Sequence, residues 1–259
     1  MRKDGSTMPD SKQLLADQLR DDPRVKQAEE LLLAALADIQ AKVAGPRSAT
    51  TELETTYQSQ LDRLAEARGG KPYFRYLASG VGRGPWVELA DGSIKLDFIS
   101  GIGVHGLGHS HPRLLQAGLM AALEDTVMQG NLQQHRPSLE ICERLLELAG
   151  QQGAALQHCL LSTSGAMANE NALKIAFHNR APADRVIALD NCFAGRTIAM
   201  AQLTDRPQYR TGLPTALAVD YIPSSDPDHS LASQERSLAA LDKHLKRHPG
   251  KYAALWLEL

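Results

Sequence analysis

Residues able to do chemistry gather at four places in the chain. Ser162-Thr-Ser-Gly-Ala166 is a run of small side chains just ahead of a predicted helix near Met167. Such a turn points backbone amides and the positive end of a helix dipole at one spot, and the small residues let an anion approach. A phosphate monoester suits it, whereas the absence of a closing lysine excludes a nucleoside-triphosphate P-loop. An N-cap serine with a tight turn explains the same residues, so spacing alone leaves both readings open. Asn191-Cys-Phe-Ala-Gly-Arg-Thr197 follows a predicted strand, at the sheet edge where open α/β sheets bind ligands. Phe193 there can stack on a flat ring and Arg196 can clamp a carboxylate. Taken alone, the simpler reading is a core phenylalanine and a solvated arginine.

Two further patterns carry less. Gly101-Ile-Gly-Val-His-Gly106 matches G-x-G-x-x-G after a strand. The next helix starts only at Pro112, and no second strand ends in an acidic residue about 20 positions on, as a dinucleotide site requires. It reads as a glycine-rich turn. His105, His109 and His111 are close in sequence, but no cysteine or carboxylate accompanies them. The i, i+4 pair His105 and His109 lies in a glycine-rich loop, so no metal is expected. His111-Pro112 sets a helix entry.

The elements that must position these groups change character along the chain. Asp22-Pro23 caps a helix with Val25, Ala28, Leu32, Ala35, Leu36, Ile39 and Val43 on one face, stopped by Gly45-Pro46. Thr51 and Glu54 predict a capping box for a second helix carrying Leu53, Tyr57, Leu61 and Leu64, ended by Gly69-Gly70. Trp86–Leu89 and Ile94–Ile99 around Asp91-Gly92 predict a β-hairpin. Pro112 opens a helix with Leu114, Leu115, Leu119, Leu123 and Val127; Pro137 opens another with Leu139, Ile141, Leu145 and Leu148. Beyond Gly153 the pattern alternates. Strands are predicted at 158–162, 185–189, 217–222 and 253–258, and helices through Phe177, over Gly195–Leu203 and over Leu231–His248. The fold class is therefore α/β, a mostly parallel sheet with helices on both faces, preceded by a helical N-terminal segment and a β-hairpin.

Composition narrows the function classes. Of 259 residues, 43% are hydrophobic and 22% charged, which is ordinary globular usage. With 28 basic and 30 acidic residues the net charge is −2, giving no electrostatic reason to expect nucleic acid or an anionic membrane. Cys142, Cys159 and Cys192 lack C-x-x-C spacing, which argues against a disulfide framework or zinc ribbon and suits a reducing, cytoplasmic setting. No secretory signal or spanning apolar run is expected. The chain stops one residue past Glu258, where a parallel sheet ordinarily continues into a covering element, so a truncated chain is expected.

Together these segments resemble class III aminotransferases, enzymes of pyridoxal 5′-phosphate (PLP) fold type I. The resemblance runs from about Gly82 to Leu259. It rests on Leu96-Asp-Phe-Ile-Ser-Gly-Ile-Gly-Val, Gly108-His-Ser-His-Pro112, Ser164-Gly-Ala-Met-Ala-Asn-Glu-Asn-Ala-Leu-Lys174, Phe193-Ala-Gly-Arg-Thr197 and Leu255-Trp-Leu-Glu258. The acetylornithine/ornithine branch is nearest. The resemblance implies a helical extension over 1–70, part of a small domain over 71–111 and an incomplete PLP-binding large domain over 112–259. It implies that Ser164, Gly165 and Ala166 hold the cofactor phosphate and that Phe193 stacks on the pyridine ring. Glu258 ends the strand near the cofactor, Arg196 binds a substrate carboxylate, and Ser100, Gly101 and Ile102 form a loop at the substrate entrance. Met167 stands where the family usually has Glu, Ala194 where it often has His, and Leu259 where proline is common.

The Schiff-base lysine and the aspartate that pairs with the ring nitrogen belong, in the family, beyond this chain. No catalytic residue is therefore assigned, and the chain is expected to be inactive alone. Lys174 lies two turns along the helix that leaves the phosphate loop and points away. The implied reaction is transfer of an amino group from an amine or ω-amino acid to a 2-oxo acid, by a homodimer of the complete enzyme. An aminomutase of the same fold, a nicotinamide-dependent oxidoreductase and a non-catalytic protein retaining the fold stay open.

Overall fold

The computed structural model describes residues 13–124, 134–224 and 231–258. It divides into two compact units, Met1–Gln129 and Gly130–Leu259.

In the first unit, α1 (Leu15–Asp21), α2 (Pro23–Gln40) and α3 (Thr51–Ala67) precede an antiparallel sheet of β1 (Ala78–Arg83), β2 (Trp86–Leu89) and β3 (Ile94–Leu96) in the order β1-β2-β3. A four-residue helical turn, α4 (Ser100–Gly103), and α5 (Pro112–Ala121) complete it. The Asp22 side chain caps α2 by accepting from the Arg24 amide at 2.8 Å, with Pro23 in the first turn, as its sequence demands. The start of α3 differs from expectation. Thr51 is its first helical residue, and the N-cap, Thr50, makes no side-chain cap bond. Thr50 is instead docked on the hairpin: its amide donates to the Asp91 carbonyl at 2.8 Å, and its hydroxyl would lie 2.7 Å from a Cβ on Gly92. The end of α3 follows its sequence, since Gly69 is left-handed and the Gly70 amide returns to the Ala65 carbonyl.

β1 was not visible in the sequence, because Ser79, Gly80 and Gly82 break any apolar alternation. It forms because the hairpin leaves a free edge, to which it pairs through a register shift. The inward stripe of α2 is also rotated from expectation. Leu33, Leu36 and Gln40 turn inward while Leu32 and Ile39 stay exposed. The cause is Gln40, which is buried and donates to the carbonyls of Gly82 and Ser110 at 2.8 and 2.9 Å. Val127, expected to extend the apolar face of α5, lies outside the described residues, as do Leu259 and the first twelve residues.

In the second unit, α6 (Arg136–Gln151), α7 (Gly165–Arg180), β4 (Arg185–Leu189), α8 (Ile198–Leu203), β5 (Ala218–Ile222), α9 (Leu231–Arg247) and β6 (Tyr252–Trp256) build a parallel sheet in the order β5-β4-β6. Side-chain alternation on the central strand sorts the covering helices. Val186 and Ala188 join Val219, Tyr221, Ala254 and Trp256 in a core with Leu173 of α7 and Met200 and Leu203 of α8. Ile187 points the other way with its neighbour Asp220, which His244 of α9 approaches. The sheet is thus covered on both faces.

The strand expected at 158–162 does not form. Leu160 and Leu161 are 60% and 41% exposed, and no ladder reaches them among the described residues. An apolar run becomes a strand only where a neighbour takes its amides, and among the described residues neither edge of the β5-β4-β6 sheet pairs with this segment. α6 begins one residue before Pro137 and is capped by His135, whose Nδ1 accepts from the Ser138 amide at 3.3 Å. The helix expected over Gly195–Leu203 begins at Ile198, because Thr197 caps it. Among the described residues, no helix is long and apolar enough to cross a membrane.

Candidate active site

The site is built at the C-terminal end of β4, where two loops meet the start of α7. Ser164 is extended, and its Oγ accepts from the Met167 amide at 3.2 Å, which makes it the helix N-cap. The helix therefore starts at Gly165, two residues earlier than expected. Gly165 and Ala166 occupy its first two positions, where no carbonyl four residues back exists to take their amides. Both amides belong to the positive end of a sixteen-residue helix. Asn171, one turn further on, donates to Ser162 Oγ at 3.1 Å and holds the turn against α7.

The Asn191–Thr197 loop is pinned from beneath by Thr204, which has no exposed surface. Its Oγ1 accepts from the amides of Ala194 and Gly195 at 2.9 and 3.3 Å and donates to the Gly195 carbonyl at 3.0 Å. Asn169 of α7 donates to the Ala194 carbonyl at 2.8 Å, and Thr197 donates to Glu170 of the same helix. Gly195 has φ +140°, and a Cβ built on it would lie 2.7 Å from the Ala166 Cβ. Only glycine lets the two loops approach this closely.

The pinning turns Phe193 outward. Its ring is 47% exposed and meets Tyr209 edge-on at 6.2 Å. Its amide donates to Glu258 Oε2 at 2.7 Å, so the carboxylate just past β6 anchors the loop that leaves β4. Arg196 is exposed and has no ion-pair partner among the described residues. Cys192, beside the ring, is part of the core. Its Sγ donates to the Leu203 carbonyl at 3.2 Å, and burial raises the thiol pKa. Ser164, Gly165, Ala166, Phe193, Arg196 and Glu258 all lie in this one unit, on the two loops and the strand end. Ala194, where the resemblance expects histidine in many relatives, is buried in the core cluster.

Sequence reasoning missed Thr204, Asn169 and Glu170, which hold the loops without facing the site. Thr204 left only a threonine at the end of a short predicted helix, while Asn169 and Glu170 lay within the Ser164–Lys174 motif with no role assigned.

Ile102 belongs to the first unit. Ser100, Gly101 and Ile102 have φ of 50, 57 and 58°, a left-handed turn that leaves the Ile102 side chain 93% exposed. Asp97 holds the turn. Its Oδ1 accepts from the amides of Ile99 and Ser100, and its Oδ2 lies 2.7 Å from His109 Nε2. The His109 contact holds the Asp97 carboxyl below the usual aspartate range. Gly108 in this stretch serves close packing: a Cβ on it would lie 2.7 Å from the Gly84 backbone. Among the described residues, no group of three histidine, cysteine or acidic side chains could hold a metal.

The fold and this pair of loops define a PLP-type transferase architecture, and the sequence places the chain within it. The chain belongs to the class-III aminotransferase family, whose profile matches residues 67–258. It is 32% identical over 151 residues to the acetylornithine aminotransferase of Methanocaldococcus jannaschii, covering 56% of this chain and 36% of that protein. The acetylornithine aminotransferase of Haemophilus ducreyi is 37% identical over 133 residues, covering 49% and 32%. Among solved structures, the taurine:2-oxoglutarate aminotransferase of Bifidobacterium kashiwanohense, in complex with PLP and glutamate, superposes with a TM-score of 0.64 at 18% identity, over 76% of this chain and 47% of that one. The omega transaminase of Pseudomonas jessenii, in complex with PMP, gives 0.60 at 22%, over 80% and 48%. The chain spans about a third of the length of the curated relatives it matches.

Proposed function

We propose that this chain contributes the phosphate cradle and ring wall of a PLP-dependent aminotransferase, which moves an amino group from an amine or ω-amino acid to a 2-oxo acid. The observation that carries the reading is the contact between Gly195 and Ala166, which sets the exposed Phe193 loop against the open first turn of α7. The residues present fit PLP. Two first-turn amides without an intrahelical acceptor and a serine suit its phosphate, an exposed aromatic face suits its ring, and a glycine stands where any Cβ would separate the two. When bound, the cofactor supplies an electron-withdrawing ring that stabilises negative charge at the substrate carbon.

The chain's own residues then have distinct tasks. Gly165 and Ala166 donate to the phosphate, and Ser164 fixes their direction by capping α7. Phe193 covers one ring face and, with Tyr209, excludes water from it. Glu258 holds the Phe193 backbone. Arg196 takes a substrate carboxylate, and Ile102 with Ser100 and Gly101 lines the substrate entrance. Residues 1–70 form an extension, 71–111 part of the small domain and 112–259 the incomplete large domain.

No lysine in the described part of the second unit supports covalent attachment of the cofactor. Lys174 lies roughly 13 Å along α7 from Gly165. Lys243 and Lys246 sit on α9, across the sheet, and Lys251 precedes the far end of β6. The chain alone is read as inactive, and the complete enzyme as a cytoplasmic homodimer acting on small molecules, with no nucleic-acid or membrane partner. Apolar faces left open on α6, at Leu139, Ile141, Leu145 and Leu148, support burial against further protein.

Titration of the chain with PLP, followed by borohydride reduction and peptide mapping, tests the reading. Saturable quenching of protein fluorescence that weakens in Ser164→Ala and Phe193→Ala, with no stoichiometrically labelled lysine, is expected. Quenching indifferent to both variants, or one fully labelled lysine, overturns it.

A further inference from the structure

Cys142 and Cys159 face each other in the second unit. Cys142 projects from α6, and its Sγ lies 4.0 Å from the Cys159 carbonyl oxygen. Both cysteines are reduced and half-buried, within reach of small reagents, whereas Cys192 is sealed in the core at 2% exposure. Burial first, and then the neighbouring Cys159 side chain, raises the Cys142 thiol pKa. Cys159 sits in the 154–162 segment, which makes no ladder bonds and can adjust its backbone to disulfide geometry. Three residues later the chain enters the Ser162–Ala166 turn.

We propose that Cys142 and Cys159 are a thiol-oxidation site, forming a reversible disulfide that staples α6 to the segment entering that turn. The oxidant is a low-molecular-weight disulfide such as oxidised glutathione. One cysteine thiolate attacks a sulfur of the small disulfide, whose S–S bond breaks and releases one small thiol. The second cysteine, as thiolate, displaces the other small thiol and closes the Cys142–Cys159 bond. The protein loses two electrons and two protons, and the glutathione pair gains both. The cycle is reversed by excess reduced thiol, which suits a reducing compartment where lasting disulfides are rare. Neither the chemistry nor its test depends on the cofactor reading.

The experiment uses the full chain, reduced and freed of reductant, then incubated with oxidised glutathione near pH 8. Trypsin cleaves at Arg144, between the two cysteines, so a non-reducing map distinguishes linked from separate peptides. The expected result is loss of two of three titratable thiols, a Cys142–Cys159 linked peptide within one chain, Cys192 unmodified, and full reversal by reduced glutathione. Cys142→Ser and Cys159→Ser should each carry one glutathione on the remaining partner and form no link. Separate glutathione adducts on Cys142 and Cys159 in the parent chain, or links only between chains, overturn the proposal.

Discussion

The amide of Phe193 donates to Glu258 Oε2 at 2.7 Å, joining residues 65 positions apart at the ends of two neighbouring strands. The bond ties the loop bearing Phe193 to the end of β6. Glu258→Ala is expected to lower hydrogen-exchange protection at the Phe193 amide by at least tenfold, since a bond to a charged acceptor contributes about 1.5–3 kcal/mol. Glu258→Gln keeps an acceptor oxygen and should lose less than half of that. Equal protection in the parent and both variants would show that the bond does not hold the loop.

Thr204 makes a sharper case because it is fully buried and bonds two amides and a carbonyl of one loop. Thr204→Val leaves the amides of Ala194 and Gly195 without an acceptor in the core, at a cost of about 2–4 kcal/mol. Thr204→Ser keeps the hydroxyl and loses one methyl, about 1 kcal/mol. Urea unfolding followed by Trp256 fluorescence in a Trp86→Phe background checks both, since these are the chain's only tryptophans. Similar losses in the two variants would mean that packing, and not the hydroxyl, is what matters there.

Gly195→Ala places a Cβ 2.7 Å from the Ala166 Cβ and 3.1 Å from the Met200 Cβ, at a φ that alanine resists. About 2–4 kcal/mol of stability should be lost. PLP-dependent quenching should weaken at least tenfold, because the loop moves off the first turn of α7. Gly165→Ala, with nothing within 4 Å of its built Cβ, is the control and should fold as the parent does. Unchanged PLP affinity in Gly195→Ala would remove the contact from the site.

Asp220 sets an acid limit on the second unit. Burial pushes its carboxyl up, but the Tyr252 hydroxyl at 2.6 Å, the Arg185 guanidinium at 2.7 Å and His244 pull it down further, to a net value below ordinary aspartate. A carboxyl whose pKa is lowered by folding contributes stability that is fully present above its unfolded value, near 4. That contribution is lost as pH falls through the lower folded value. Melting followed from pH 6 to pH 2.5 should show a decline below about pH 4 that Asp220→Asn flattens. An identical slope in the variant would assign the acid limit elsewhere.

Much of this was legible in the residues. Val186–Leu189 is a continuous apolar run behind Arg185, and its sides fill both layers of the core, so the strand's bounds emerged as read. Asp22-Pro23 and Gly69-Gly70 state their helix ends in local backbone chemistry. Spacing alone left the Ser162–Ala166 turn open between a cap and a phosphate site and favoured a core phenylalanine at Asn191–Thr197; the family resemblance gave both segments their expected roles.

Local sequence determined the Asp22-Pro23 start, the Gly69-Gly70 stop, the period of most helices and the family motifs, because these depend on neighbours within a few residues. Tertiary structure alone decided that 158–162 lacks a ladder, that Gln40 turns α2, and that β1 finds the hairpin's open edge. It alone also decided that Thr204 and Glu258 hold the loop bearing Phe193. Each of those outcomes is a hydrogen bond or a close approach between residues distant in the chain. Its energy depends on which partner the fold delivers, and no periodicity encodes that.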